Sequence, residues 1–516
     1  MKSKVTIAQG AALLAISGYL SKMISFFYRI PYQNIAGDIG LYVYQTVYPL
    51  FAIASALGIY ALPVIVAKLT LHHPEERREV LWSILWAMLV LTGLFGGLGW
   101  WLAPSVAALF GDARLVLPIR AVTLTFYLLP FIAVLRGMFQ AEDEMRPTAF
   151  SQIAENGTRV VLLLFATALS VSLGYSPYLT GALAHASAAG GSIVSLILLL
   201  KMAKGRVGRP VFSKRHIMRV GKVLVTSGFA VSIASLALLL MQLIDGLTFV
   251  NLLGDSLETK TEKGIFDRGY PLLQFAILFA TTISLASVPS LLKAYRKQNH
   301  METTRRLELL LRSGLAIAAA AAVGLAGIMR PLNIAFFEDG KGTAALIILA
   351  SSAFFASLSM IIVSCLQAVD AEKYAFVGVC AGLAAKLAMN IWLLPRYGMI
   401  GAGMATFGGF AVMALSQTVL LNRKFGRVTA GSRFYAKLAV SLSPMGLFLI
   451  LMDDLFESYG FDSRLGSLVE VGVLIAGGGS LFFFMMLKSR LLTEQEWKLL
   501  PFGEKIMIYE QRRRTL

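Results

Sequence analysis

The chain has 516 residues, of which 57% are apolar and 15% charged, a balance that an ordinary water-exposed surface does not sustain. Its 47 Lys and Arg against 29 Asp and Glu leave a formal charge of +18, which an integral membrane protein explains by cations gathered on one side of the bilayer, without a nucleic-acid partner. At roughly 20 apolar residues per spanning helix, the length fits a polytopic bundle with no large soluble domain.

In chain order, apolar windows separated by polar or Pro/Gly clusters predict fourteen spans. They lie at 9–30, 41–69, 80–103, 115–139, 147–172, 177–202, 219–250, 266–292, 305–329, 343–368, 374–394, 399–421, 434–452 and 467–487. No small-residue cleavage site follows the first span and Lys22 interrupts it, so it reads as a retained helix and not a signal peptide. Alternating the loops between two sides gathers Lys68, Arg77, Arg78, Arg136, Arg146, the connections 201–222, 293–306 and 423–437, and the tail Arg512, Arg513 and Arg514 on one side. The other side is sparse or balanced, as in the loop with Asp255, Glu258, Lys260, Glu262 and Lys263. The positive-inside rule then expects a cell-membrane protein with both termini cytoplasmic.

The chain also matches itself at offsets of about 217 to 227. Asn34–Asp38 pairs with Asn251–Asp255, Pro63 with Pro289, Phe139–Asp143 with Leu366–Asp370, Arg159 with Lys386, and Gly181-Ala182 with Gly401-Ala402. The expected fold is an all-α membrane bundle of two parallel six-helix lobes, 1–203 and 219–424. A basic linker, 204–218, joins them, and two further helices with a basic tail, 425–516, follow.

Ionisable groups at bilayer depth cost about 2.5–3.5 kcal/mol on insertion scales, so each should face a cavity or a partner. Lys22 and Arg29 lie seven residues apart on one face of the first span, within roughly 10.5 Å along its axis. Arg268, beside Asp267, reads either as a third cavity cation or as half of an exposed pair. Glu155 and Arg159 are spaced to pair within one helix, Lys386 has no acid near it in its own helix, and Asp245 follows Gln242 by one turn. Three cavity cations against few acids point to an anionic cargo such as a diphosphate. Tyr42, Tyr44 and Tyr48 read as interfacial anchors or as sugar-stacking rings. Cys365 and Cys380 read as buried thiols, and the histidines form no metal-ligand spacing. No catalytic constellation, P-loop or dinucleotide fingerprint is in place, so neither enzymatic activity nor a cofactor is expected.

The stretch from Ser21-Lys22-Met23 through Tyr28-Arg29-Ile30-Pro31 to Asn34-Ile35-Ala36-Gly37 resembles the first helix and loop of polysaccharide-biosynthesis transporters of the SpoVB and MurJ-like type, within the MOP exporter superfamily. Lys386, Asn390, Leu393, Pro395, Gly398, Gly401, Ala402, Ala405 and Thr406 are similar to its counterpart in the second lobe. The resemblance implies a monomeric lipid-linked oligosaccharide flippase with a MATE/MurJ-like fold, working on a lipid II-like precursor, with Lys22, Arg29 and Arg268 holding the headgroup. It departs from the lipid II group in having no cation in the second span before Lys68. The resemblance also suggests a coupling-ion site at Asp245, Asn390 and Thr406, with sodium, protons or the membrane potential as the driving force. Lys386 stands one turn before Asn390, in place to replace a metal cation. Two other readings stay open: a cation-coupled multidrug antiporter, which wants an acidic cavity, and a non-transporting membrane scaffold for wall or spore-envelope assembly.

Overall fold

The computed structural model describes residues 17–18, 20–21, 23–56, 62–72, 76–206, 208, 210–211, 236–426, 428, 430–461 and 463–497. Lys22, most of the basic linker and the basic tail lie outside the described residues. Among those described, ten helices are long and apolar enough to cross a membrane and no strand occurs, as a medium that cannot solvate unpaired backbone groups requires. The chain is a multi-pass, all-α membrane protein.

Two compact units divide the chain at Gly264 and Ile265. The first contains α1 (Arg29–Ala56), α2 (Leu62–His72), α3 (Arg77–Leu109), α4 (Val116–Ala141), α5 (Met145–Ser172), α6 (Pro177–Met202) and α7 (Ala237–Leu253). After α8 (Leu257–Asp267), the second contains α9 (Gly269–Arg296), α10 (His300–Gly327), α11 (Met329–Phe337), α12 (Thr343–Ser351), α13 (Ala353–Ala368), α14 (Glu372–Phe425), α15 (Ser432–Ser458) and α16 (Arg464–Lys488). Local chemistry sets several helix starts. Ser176, Asn299 and Ser463 each accept a backbone N–H of the first turn that follows, and Pro177 takes the first helical position of α6.

Two of the predicted breaks between spans fall on single glycines. Predicted spans one and two are parted within α1 at Gly37 (φ 70), where the helical backbone is interrupted. Spans eleven and twelve are likewise parted within α14 at Gly398 (φ 53), behind Pro395. The positive φ at both turns favours glycine, which carries no Cβ. Predicted span two is covered by α1 up to Ala56 and by α2 from Leu62, residues 57–61 lying outside the described ones.

The backbone repeats where the sequence does. Gly37 and Gly254, matched at offset 217, both have positive φ (70 and 96), and Asp143 and Asp370, matched at 227, both adopt the left-handed region (φ 56 and 50) just past a helix. A further match escapes the sequence comparison: Gly111-Asp112 and Glu338-Asp339, again at offset 227, both begin with a left-handed residue (φ 75 and 68). Each aspartate then accepts the backbone N–H two residues on, from Arg114 and Lys341 respectively.

These paired aspartates anchor a clasp in each unit. In the first, Asp112 accepts from Tyr42 at 3.1 Å and Tyr178 at 2.6 Å and pairs with Lys260 at 2.7 Å. In the second, Asp339 takes Arg268 in a two-pronged pair at 2.6 and 3.2 Å, and Arg268 lies over the Phe337 ring at 5.2 Å. At the opposite end of the first unit, Arg206 bridges Glu142 and Glu144, both at 2.8 Å, and Arg77 pairs with Glu142.

Burial alone would raise the Asp112 carboxyl, but hydrogen bonds from Lys260, Tyr178 and the Arg114 amide outweigh it and leave the group below the usual 3.8. The same balance, with Arg268 as the donor, lowers Asp339. A carboxyl depressed by folding contributes stability that is complete above the unfolded value and lost as pH falls through the folded one. Thermal stability is therefore expected to fall below about pH 4. Scanning calorimetry of Asp112→Asn should show a lower midpoint at neutral pH and a shallower acid limb than wild type. An unchanged acid limb in both Asp112→Asn and Asp339→Asn would contradict this.

Candidate functional site

The start of α1 is a cluster of aromatic rings around cations. Tyr28, Tyr32, Tyr44 and Tyr48 are all buried, and the Tyr28 and Tyr44 hydroxyls share a hydrogen bond of 2.7 Å. Tyr44 stacks on His185 of α6 at 4.5 Å and 12°, and His185 Nε2 lies 3.2 Å from the Tyr44 carbonyl. These tyrosines are therefore not interfacial anchors. Tyr42 serves the Asp112 clasp, Tyr44 packs against α6, and Tyr48 carries Arg29, whose guanidinium lies 4.4 Å from its ring centre and 5.8 Å from that of Tyr28. A cation held over ring faces stays charged and oriented at depth.

Arg159 of α5 reaches the same cluster. It is 5% exposed, lies over Tyr28 at 5.4 Å and Phe51 at 5.1 Å, and donates to Ser25 at 3.0 Å. The pairing expected between Glu155 and Arg159 does not form. Glu155 instead pairs at 2.7 Å with Arg136 of α4, which also donates to Ser151 and Ser195, while Ser192 donates to the other Glu155 oxygen. Arg136 was counted as a loop cation, yet it is 1% exposed inside its helix. A serine on each flank and a carboxylate at its tip satisfy more of a guanidinium's five donors than a partner on one helix face would leave for it. The signal that could have found it is the sequence separation: Glu155 lies 19 residues after Arg136, where two helices joined by a tight turn come level. Close approach makes this possible, since a Cβ on Gly191 of α6 would come within 2.5 Å of the Glu155 carbonyl oxygen.

The other candidates separate. Arg268 is fully buried and committed to Asp339, so it is neither a free cavity cation nor half of an exposed pair with Asp267. The polar stretch beyond α7 forms α8, not a loop, and buries Lys260 and Lys263. Asp245 is fully buried in α7, one turn after Gln242, which donates to the Gln45 carbonyl at 3.3 Å. Asn390 and Thr406 are fully buried in α14 of the second unit, where Lys386 donates to the Ala402 carbonyl at 3.2 Å and to the Thr406 hydroxyl. Lys22 lies outside the described residues.

A profile of the family described as "Polysaccharide biosynthesis protein" matches residues 7–294. The membrane protein YabM of Bacillus subtilis (strain 168) is 34% identical over 527 aligned residues, covering 98% of this chain and 97% of that one. Stage V sporulation protein B of the same organism is 22% identical, covering 98% and 100%. Among solved structures, the lipid II flippase MurJ in an inward closed conformation superposes with a TM-score of 0.70 at 15% identity, over 93% of this chain and 99% of that one. The breadth of the profile match, together with the near full-length relative, places this chain in the polysaccharide biosynthesis protein family.

Proposed function

We propose that the chain is an alternating-access flippase that carries a polyprenyl-diphosphate-linked glycan from the cytoplasmic to the outer leaflet of the cell membrane. The observation that carries this reading is the pair of buried guanidiniums, Arg29 and Arg159, that share one tyrosine cluster in the first unit, both near the Tyr28 ring. Cations at membrane depth suit a diphosphate and repel an organic cation. Lys22, seven residues before Arg29 in the sequence and outside the described residues, is proposed as a further cation of the same site. Both termini are cytoplasmic in this reading, which sets the clasps of Asp112 and Asp339 at the outer ends of their helices. A potential negative inside then favours outward movement of the headgroup by ~2.3 kcal/mol per charge per 100 mV.

The wild-type protein in nanodiscs, titrated under native mass spectrometry, tests this reading. Polyprenyl-diphosphate glycan should bind saturably, and hydrophobic organic cations should not compete. Saturable binding of organic cations alone would overturn it in favour of a drug antiporter.

In this mechanism Lys386 supplies the positive charge that a metal ion would bring, because its ammonium already occupies the Thr406 hydroxyl and the Ala402 carbonyl. Isothermal titration with sodium is accordingly expected to give no saturable heat. Saturable sodium binding that Asp245→Ala abolishes would contradict it.

A further inference from the structure

Between α1, α4, α5 and α6 lies a small, partly open cavity. Its polar lining comes from Ser55, Thr125, Arg136, Glu155, Asn156 and Arg159, with Ser192 at the edge of the Glu155 carboxylate. The two guanidiniums and one carboxylate are not equivalent. Glu155 is spent on Arg136 and Ser192, so the pair is neutral. Arg159 is left with its whole charge: among the described residues no carboxylate lies within ion-pairing distance of it, and its Nε has no hydrogen-bond partner. Thr125, 7% exposed on the facing helix α4, also has a hydroxyl with no partner. Thus a buried cation with one unmet donor and a buried hydroxyl without a partner, from two helices, both line one cavity. The repeat provides the contrast, since Lys386, at the position matching Arg159, is bonded to a carbonyl and a hydroxyl beyond the turn at Gly398.

We propose that this cavity is a binding site for a phosphoryl oxyanion, with Arg159 as its charged ligand and Thr125 and Asn156 as neutral donors. A buried cation without a counter-charge is costly, and a tetrahedral oxyanion offsets that cost while accepting from a guanidinium and a hydroxyl at once. An apolar ligand would leave the Arg159 Nε and the Thr125 hydroxyl unmet, and a cation would meet Arg159. The oxyanion has two sources, the diphosphate of the lipid-linked cargo or a free inorganic anion. Only the first rests on the flippase reading.

The test titrates full-length protein in nanodiscs with inorganic phosphate, inorganic diphosphate and polyprenyl-diphosphate glycan, for wild type, Thr125→Val, Arg159→Lys and Arg29→Gln. Thr125→Val should weaken anion binding by about three- to tenfold, the share of one neutral hydrogen bond. Because it removes an unpartnered buried hydroxyl, it should leave the melting temperature of the ligand-free protein equal to or above that of wild type. Arg159→Lys keeps the charge but loses the planar fork, and should weaken binding about tenfold or more. If inorganic anions bind with this pattern and the lipid does not, the site stands as a resident anion site and the flippase reading fails. If the lipid shows the pattern as well, the cavity holds the cargo diphosphate. Lipid binding lost in Arg29→Gln but untouched by Thr125→Val and Arg159→Lys would overturn this proposal and leave the flippase reading intact. Absence of saturable binding of any of the three ligands would overturn both.

Discussion

Replacing Arg29 by Gln is expected to weaken capture of a polyprenyl-diphosphate glycan by about ten- to a hundredfold, the share of a charge-assisted hydrogen-bonded contact of 1.5–3 kcal/mol. Arg29 is 3% exposed, and the ring of Tyr48 fixes the plane of its guanidinium. Its rotamer freedom is therefore already lost in the free protein, so little of the gross attraction is consumed by ordering on binding. Arg29→Lys keeps the charge without the fork and the ring stacking and should fall between wild type and Gln. Binding titrations in nanodiscs separate these cases. Equal affinity in wild type and Arg29→Gln would remove the first guanidinium from the site. A Tyr48→Leu change, which frees the guanidinium but keeps the charge, should lower affinity less than Arg29→Gln does.

The largest expected change in stability comes from Glu155→Gln, at about 3–5 kcal/mol, because it leaves the Arg136 cation buried without a carboxylate. The two serines that also accept from Arg136 cannot replace the lost charge. Removing both members, as Glu155→Gln with Arg136→Met, should recover much of the loss, since a matched apolar side chain needs no partner. Thermal melts in detergent, arranged as a double-mutant cycle, read the coupling directly. Additive losses in the double variant would mean that the two side chains do not stabilise the fold as a pair. Because Glu155 and Arg136 line the cavity that Arg159 enters, Glu155→Gln should also strengthen anion binding in whatever fraction remains folded.

Hydropathy and charge alternation made the helices legible, because length and apolar content are set by the bilayer and not by tertiary detail. The breaks expected between spans one and two and between spans eleven and twelve fall on single glycines, Gly37 and Gly398, whose backbone conformation periodicity does not register. The duplication was legible in part. Asp112 and Asp339 escaped it because Gly111 and Glu338 share a backbone conformation without sharing a side chain.

The site was legible as a set of residue types and much less as a set of partners. Arg29, Arg159, Asp245, Lys386, Asn390 and Thr406 are all buried, but whom each one meets is decided across helices. Glu155 had a cation four residues away and took one from the neighbouring helix. Arg268 had an aspartate beside it and is gripped by Asp339, 71 residues on. Lys260 sat in what looked like a balanced loop and pairs with Asp112, 148 positions earlier. Local spacing gives an allowed partner. Packing chooses among the allowed ones by how many of the remaining donors each arrangement satisfies. Tyr42, Tyr44 and Tyr48 misled for the opposite reason: an aromatic run near a predicted helix end matches an interfacial belt in composition, while here the phenols serve buried charges.

Buried cations drawing a phosphate-bearing headgroup through the membrane are the core of this account, and reconstituted transport tests that claim most directly. Purified protein in liposomes, with labelled polyprenyl-diphosphate glycan in one leaflet and a fluorescent organic cation inside, would be followed under an imposed membrane potential. The account predicts that the glycan headgroup appears in the opposite leaflet, faster when the potential drives anions that way, that Arg29→Gln stops it, and that the organic cation stays put. Robust export of the organic cation with no movement of the glycan would contradict it.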